Sequence, residues 1–498
     1  MILMEKVRTR VARVLGSRQF YWAVIIFFVL EAVWVAFSAR YPMAFDEDFH
    51  LGVIRIYSHQ FLPFLSGQPD GANAYGALAA DPSYLYHYLM SFPYRAVAFL
   101  TDSQYVQVMV LRLINIGIIT AGVLLFRKVL LRTGTSPLLV SVATLLFALI
   151  PTVPLLAGQI NYDSLFLLAL AWVCWLVLTI TDDLQRKTLD LKRFVILAVS
   201  LMLACLVKYA FLPIAVAVTV YLLVVLWRTF RREQFGKVLS RACAKLSTRV
   251  QIGLVVLAAV SAGLFLQRYG ANLVRYHDPV PSCDAVIGVD ACAEYGPWAR
   301  DYALTAVKPA VRPEPLAYAW QWLQGMHYRM FFMVSGPPLF VNYPPSPLPS
   351  GVAVVVLIFG AASLVFYWRQ VFGGRPFLVF LLFMAATYAV VLWLQNYSSY
   401  LSTGQPVSIN GRYFLPLLLP MVAVVGRGLS VATRRWPHVR AWAAVLVIIC
   451  FLQGGGIFGF ILRSDPSWYW PSPAITNLNQ AARDVLAPLM LEGPKYYN

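Results

Sequence analysis

The sequence predicts an all-α polytopic membrane protein with about eleven transmembrane helices. Three observations predict it. Apolar residues fill 60% of the 498 positions, against roughly 45–50% in a soluble domain. Charged residues fill only 12%, against roughly 25%. The apolar residues also gather in runs of about 20, the length that crosses a bilayer as a helix. Aromatics at 14%, with 14 Trp, fit interfacial belts. The composition excludes a secreted or cytosolic enzyme and a disordered chain.

The runs place spans at about 20–39, 105–126, 138–156, 165–180, 194–207, 211–227, 252–266, 351–368, 377–394, 414–429 and 442–462. The fifth is short and can be extended back to Leu191. The fifth and sixth read as one hairpin broken at Lys208 and Pro213. A basic stretch precedes the first span and no small-residue cleavage site follows it, so an uncleaved anchor is expected.

Lys and Arg set the expected orientation. With the N-terminus cytoplasmic, the inside segments carry five basic residues before the first span and three between 127 and 132. Four more lie between 186 and 193, seven between 228 and 249, two at Arg369 and Arg375, and four between 427 and 440. Together they are 25 of the 40 Lys and Arg residues. The formal charge of +18 is therefore topogenic rather than a nucleic-acid signal, and no nucleic-acid partner is expected.

Four parts follow. Residues 1–266 form an N-terminal transmembrane module with a first external loop at 40–104. A large extracytoplasmic loop spans 267–350, further transmembrane helices 351–462, and an extracytoplasmic tail 463–498. Residues 314–334, rich in Trp, Tyr and Phe, predict a helix lying on the outer leaflet, as does 475–491. Six prolines from Pro337 to Pro349 predict a stiff connector. Cys283 and Cys292 share the second external loop and fit a local disulfide, or two free thiols.

Long external loops and short, basic internal ones put any chemistry on the extracytoplasmic face. The first candidate is Asp46-Glu47-Asp48, followed by Phe49 and His50, just past the first span. A carboxylate there can serve as a general base, and the three together suggest a divalent-cation site. The bland reading is an acidic loop capping a helix. The second is Asn161-Tyr162-Asp163-Ser164, whose Asp163 lies at the same depth; its bland reading is again an N-cap. The third is cationic. Lys208 sits at the tip of the hairpin and Arg412, beside Tyr413, opens the tenth span. Both suit a lipid-linked phosphate. Snorkelling is the alternative for Lys208; it suits Arg412 less, because a cation at a helix N-terminus opposes the dipole. The fourth is 81–90, where Tyr84 and His87 sit on an aromatic amphipathic helix that either faces substrate or merely packs.

These motifs resemble the GT-C glycosyltransferases, among them protein O-mannosyltransferases, the lipid A aminoarabinose transferase and a large uncharacterised family of bacterial membrane proteins. The resemblance runs through 45–52, 82–89, 161–166 and 411–416, in order and on one side of the membrane. Ser83 stands where a second proline is usual, and Asp48 is an additional acid. The resemblance implies a GT-C-like arrangement in a multi-pass cell-membrane protein. It implies sugar transfer from a polyprenyl-phosphate or -diphosphate donor to a glycan, lipid or protein acceptor of the cell envelope. Asp46 would be the general base, with inversion, and Glu47 and Asp163 would orient the acceptor. Asp48, His50, Tyr84, His87, Asn161 and Tyr413 would bind substrate, with Lys208 and Arg412 on the departing phosphate. The alternatives are a lipid-linked glycan flippase, which calls for ionisable residues at the bilayer midplane, and a non-catalytic scaffold.

Overall fold

The computed structural model describes residues 10–43, 46–65, 67–231, 235–244, 246–306, 314–331 and 346–491. Helices dominate, and no strand occurs among these residues beyond one isolated bridge, Ala39 to Tyr469. In chain order the helices used below are α1 (Arg18–Ser38), α2 (Glu47–Ser58), α3 (Leu85–Leu100), α4 (Gln104–Arg132), α5 (Pro137–Ala148), α6 (Thr152–Ala157), α7 (Asp163–Gln185), α8 (Leu191–Val207) and α9 (Leu212–Phe230). They continue as α10 (Thr248–Phe265), α11 (Pro315–Phe331), α12 (Pro347–Phe366), α13 (Pro376–Thr403), α14 (Leu415–Ala432), α15 (Pro437–Leu452), α16 (Gly456–Arg463) and α17 (Pro473–Leu486).

Among the described residues, nine helices are long and apolar enough to cross a membrane: Arg18–Ser38, Gln104–Arg132, Asp163–Gln185, Tyr209–Phe230, Thr248–Tyr276, Pro347–Phe366, Pro376–Thr403, Gly411–Ala432 and Pro437–Arg463. The chain is a multi-pass helical membrane protein. Two of the eleven expected spans are helical but shorter. The fifth is the 17-residue α8. The third is broken into α5 and α6 at 149–151, where Pro151 removes a backbone donor. The last span breaks too, between α15 and α16, around Gly454 at φ +111 and Gly456 at φ +50. The two breaks meet. Gly456 N–H donates to Leu149 O at 2.8 Å, so a carbonyl freed by one interruption is satisfied by the other.

Side-chain caps start three of the labelled helices, α1, α5 and α8. Ser17 Oγ accepts from Phe20 N at 3.0 Å to open α1, and Asp190 Oδ1 accepts from Arg193 N to open α8. The loops rich in Lys and Arg gather at one end of the bundle. Arg375 donates to Thr133 O at 3.1 Å and Arg427 to Gly134 O at 2.9 Å, capping the C-terminus of α4. Arg132 pairs with Asp182 and Arg193 with Asp183 at the same end. α4 and α7 pack side by side through the centre.

At the opposite end the chain closes on itself. Arg40 N–H donates to Trp468 O at 2.8 Å, and Trp470 N–H to Ser38 O at 3.0 Å. From α17, Asn479 bonds Trp34 and the Ser38 hydroxyl, each at 3.0 Å. The helix expected at 475–491 thus begins at Pro473 and packs on the end of α1. The helix expected at 314–334 is α11. It buries Tyr318, Trp322, Met326 and Met330 against 409–414 and α13 while Leu316, Trp320 and Leu323 stay exposed, so half of it is protein-packed. Residues 332–334 and most of the proline connector lie outside the described residues. Pro347 and Pro349, its last two prolines, open α12, where a missing donor is harmless. Cys283 and Cys292 form a disulfide.

Candidate active site

Asp46 precedes α2 in the left-handed conformation, φ 68° and ψ 32°. That region is disfavoured for a residue with a Cβ. Its carboxylate makes no cap hydrogen bond to its own helix. It turns outward to Arg412, whose Nη2 donates to Oδ2 at 2.6 Å, and its side chain stays 56% exposed while that of Arg412 is 5% exposed. Asp163 behaves alike. Asn161 supplies the cap, its Oδ1 accepting from Asp163 N at 2.8 Å. This leaves the Asp163 carboxylate for Lys208, whose Nζ donates to Oδ1 at 2.6 Å. Asp163 Oδ2 is buried and has no hydrogen-bond partner among the described residues.

Tyr413 joins the two ion pairs. Lys208 Nζ lies 5.0 Å from its ring centroid and the Arg412 guanidinium 5.2 Å, and Arg412 Nη2 reaches its hydroxyl at 3.4 Å. The ring of Tyr162 lies 4.4 Å from Lys208 Nζ on another side. Two carboxylates and two cations, drawn from four distant stretches of chain, thus share one tyrosine-lined cluster. The position of Arg412 depends on Gly411. A Cβ there would stand 2.4 Å from Met330 N and 2.5 Å from the Arg329 carbonyl carbon. Only glycine lets this turn meet the α11 backbone so closely. Lys208 is placed by the end of α8, and the next residue is tied to the first loop, Tyr209 N–H donating to Ser83 Oγ at 3.1 Å.

Glu47 has a different setting. It has no exposed surface, and both oxygens are occupied twice. Arg112 Nε and Nη2 grip them at 2.8 and 2.7 Å, while Met43 N and Ile160 N donate at 2.8 and 3.1 Å. Arg112 Nη1 also donates to Ala36 O at 2.7 Å and Ala39 O at 2.8 Å. This one pair therefore ties the end of α1, the approach to Asp46 and the approach to Asp163. One turn along α4, Asn115 donates to Ser164 Oγ at 2.9 Å and accepts from Tyr86 at 3.1 Å.

Asp48 is exposed on the first turn of α2. Asp46, Glu47 and Asp48 therefore point three ways, toward Arg412, toward Arg112 and outward. They do not converge as cation ligands, and no cluster of three or more His, Cys, Asp or Glu suited to a metal occurs among the described residues.

The remaining expected residues are buried rather than open to substrate. His50 and His87 are each 1% exposed, Tyr84 2% and Asn161 0%. His50 Nδ1 and His87 Nε2 share a hydrogen bond of 2.8 Å, and the His50 ring meets Tyr162 edge-on at 4.6 Å. Burial pushes both imidazoles down, His87 to about 3. His50 falls well below its ordinary value, with the charges of His87, Arg412 and Lys208 adding to burial. The pair is neutral near pH 7. Tyr84 lies under Arg268, whose guanidinium is 4.8 Å from its ring and which donates to Ala79 O.

Sequence reasoning missed Arg112, Arg268 and the seat at Gly411. The isolated Arg in the apolar α4 run was the available signal for Arg112, since an ionisable residue inside a span needs a partner.

Fold and site define a polytopic helical membrane protein with an acid–base cluster at the end of the bundle away from its basic loops. No family model matches the chain, and no curated protein matches it. Among solved structures it is similar to the oligosaccharyltransferase of Archaeoglobus fulgidus, crystallised with a tethered acceptor peptide containing the NVT sequon. Identity is 13% and the TM-score 0.45, over 95% of this chain and 57% of that one. The chain thus spans little more than half the length of that protein.

Proposed function

We propose that this protein is a GT-C-type membrane glycosyltransferase that moves a sugar from a polyprenyl-phosphate or -diphosphate donor to an extracytoplasmic acceptor. The observation that carries the reading is the meeting of Asp46 and Asp163 with Arg412 and Lys208 around Tyr413. Glycosyl transfer needs a carboxylate to take the acceptor proton and cations to stabilise the leaving phosphate. The cluster supplies both. The N-terminus lies in the cytoplasm on this reading, because the Lys- and Arg-rich loops gather at the end opposite the site.

Asp46 acts as the base because it is the accessible carboxylate of the two ion pairs. Without donor it is held by Arg412. A donor phosphate competes for that guanidinium, and Asp46, losing its partner, is released toward the acceptor hydroxyl. Its oxygen takes the proton as the acceptor oxygen attacks the anomeric carbon and the bond to the phosphate breaks, with inversion. Lys208 moves its charge to the same phosphate, and Asp163, through Oδ2, orients the acceptor. Glu47 is a positioning residue, since Arg112 and two backbone amides occupy it. His50 and His87 support Tyr162 from behind, and Asn161 holds the turn at Asp163.

The test is transfer of labelled sugar in proteoliposomes from short-chain polyprenyl phosphates carrying a hexose or a pentose, with co-purifying lipids identified by mass spectrometry. Wild type should transfer label and Asp46→Asn should not. Full turnover in a well-folded Asp46→Asn variant excludes the assigned base. Movement of the lipid across sealed vesicles without covalent product would replace the enzyme reading with a flippase.

A further inference from the structure

One turn beyond Asp46, Phe49 directs its ring toward a segment that the proposed chemistry leaves unused. Tyr295 meets it at 6.2 Å between centroids, and Tyr75 meets it at 6.1 Å. Three tethers hold Tyr295 there. Its N–H donates to Cys292 O at 2.9 Å, and Cys292 is bonded to Cys283. The neighbouring Glu294 accepts from Asn73 Nδ2 at 3.2 Å. Gly76, at φ +78, forms the seat: a Cβ there would stand 3.2 Å from the Tyr295 ring.

A loop tyrosine held from three directions against the helix turn that follows Asp46, yet left partly exposed, is placed for contact with a ligand. Burial raises its phenol, and Asp81, Asp46, Tyr209 and Tyr413 raise it further. Through Phe49, three residues along α2 from Asp46, the ring is joined to the helix that carries the proposed base.

We propose that Tyr295 is the platform for the transferred sugar, whose C–H face lies on the phenol while its hydroxyls turn toward the Asp46 end of α2. The chemistry fits a pyranose or furanose, which presents an apolar face to an aromatic ring and polar edges to acceptors. This inference rests on the glycosyl-transfer reading and adds its specificity-determining residue.

The test compares binding of two probes to the purified full chain by native mass spectrometry. One is a short-chain polyprenyl phosphate. The other is a panel of the same lipid carrying glucose, mannose, galactose or arabinose. Wild type should hold its best glycosylated lipid about 10-fold tighter than the bare phosphate, at the upper end of one aromatic contact. Tyr295→Ala should reduce that ratio below about twofold with the bare phosphate unaffected, and Tyr295→Phe should keep it. Gly76→Ala should reproduce the loss by unseating the ring. Tyr302→Ala, in the same segment but stacked on Trp298 at 4.7 Å, should change nothing. A ratio unchanged in Tyr295→Ala, a parallel loss for both lipids, or equal losses in the Ala and Phe variants overturns the platform. Wild type that holds neither lipid overturns the glycosyl-transfer reading itself.

Discussion

Glu47 and Asp46 are adjacent in the chain and each meets an arginine, yet one side chain is 0% exposed and the other 56%. Arg112 wraps Glu47 with two parallel bonds, and two backbone amides fill the remaining lone pairs. Arg412 holds Asp46 through one oxygen at the surface. A saturated buried pair fixes geometry and has nothing left to give a substrate. A half-exposed pair can exchange partners. On the proposed function the buried carboxylate builds the site and the exposed one serves the chemistry, a division that two neighbouring acids in a sequence do not reveal.

The strongest way to break this comparison is at Asp46. Asp46→Asn should lower kcat by on the order of 10²–10⁴-fold, the usual worth of a general base, with the unfolding temperature in detergent nearly unchanged. The converse applies at the anchor. Arg112→Leu strands a buried carboxylate and should destabilise by about 3–5 kcal/mol; Glu47→Gln with Arg112→Met should recover part of it. Thermal unfolding measures both, and a stable Arg112→Leu variant would remove the anchor role.

Gly411→Ala tests the seat of Arg412 and should be milder. Backbone must shift to clear Met330, costing about 1–3 kcal/mol and lowering turnover by up to about 10²-fold through misplacement. Wild-type turnover in this variant would show that the close approach is not needed.

A smaller effect comes from the His50–His87 pair. Both imidazoles sit below the ordinary 6.5, so below that pH the unfolded chain takes up protons that the folded pair refuses. Stability is complete above about pH 6.5 and falls as the pH drops toward the His87 value of about 3, by about 1.4 kcal/mol per pH unit for each histidine. Asp81, raised mainly by burial, works in the opposite direction. Wild type and His87→Gln share it, so the difference between their stability–pH curves isolates the pair; parallel curves would dismiss it. The smallest effect should be at exposed Asp48, where Asp48→Asn should stay within about 0.5 kcal/mol of wild type and keep its turnover.

Much of this was legible in the sequence. Asp46, Asp163, Lys208 and Arg412 stand where apolar runs end, on the side of the long loops, which marked them as candidates although capping or snorkelling explains such charges equally well. The spans were legible because twenty apolar residues in a row have one common use. Glu47 was not separable from Asp46, since its role depends on Arg112, 65 positions away, and on a left-handed turn that no local pattern announces. The interrupted third span read as continuous because Pro151 sits within apolar residues, and only the second break, facing it, makes the interruption affordable. Tyr295 lay in a loop with no periodicity, and its position follows from pairings with residues 49, 73 and 76.

Arg412 stands 366 residues after Asp46. At about 5–20 residues per second of synthesis, Asp46 emerges on the order of 20–70 s before its guanidinium exists. Over that interval Asp46 lacks its folded-state partner, while Glu47 needs only Arg112, 65 residues on. The ion-pair cluster is thus completed late in synthesis, and chains stalled before Arg412 would hold the Glu47–Arg112 pair without the partner of Asp46.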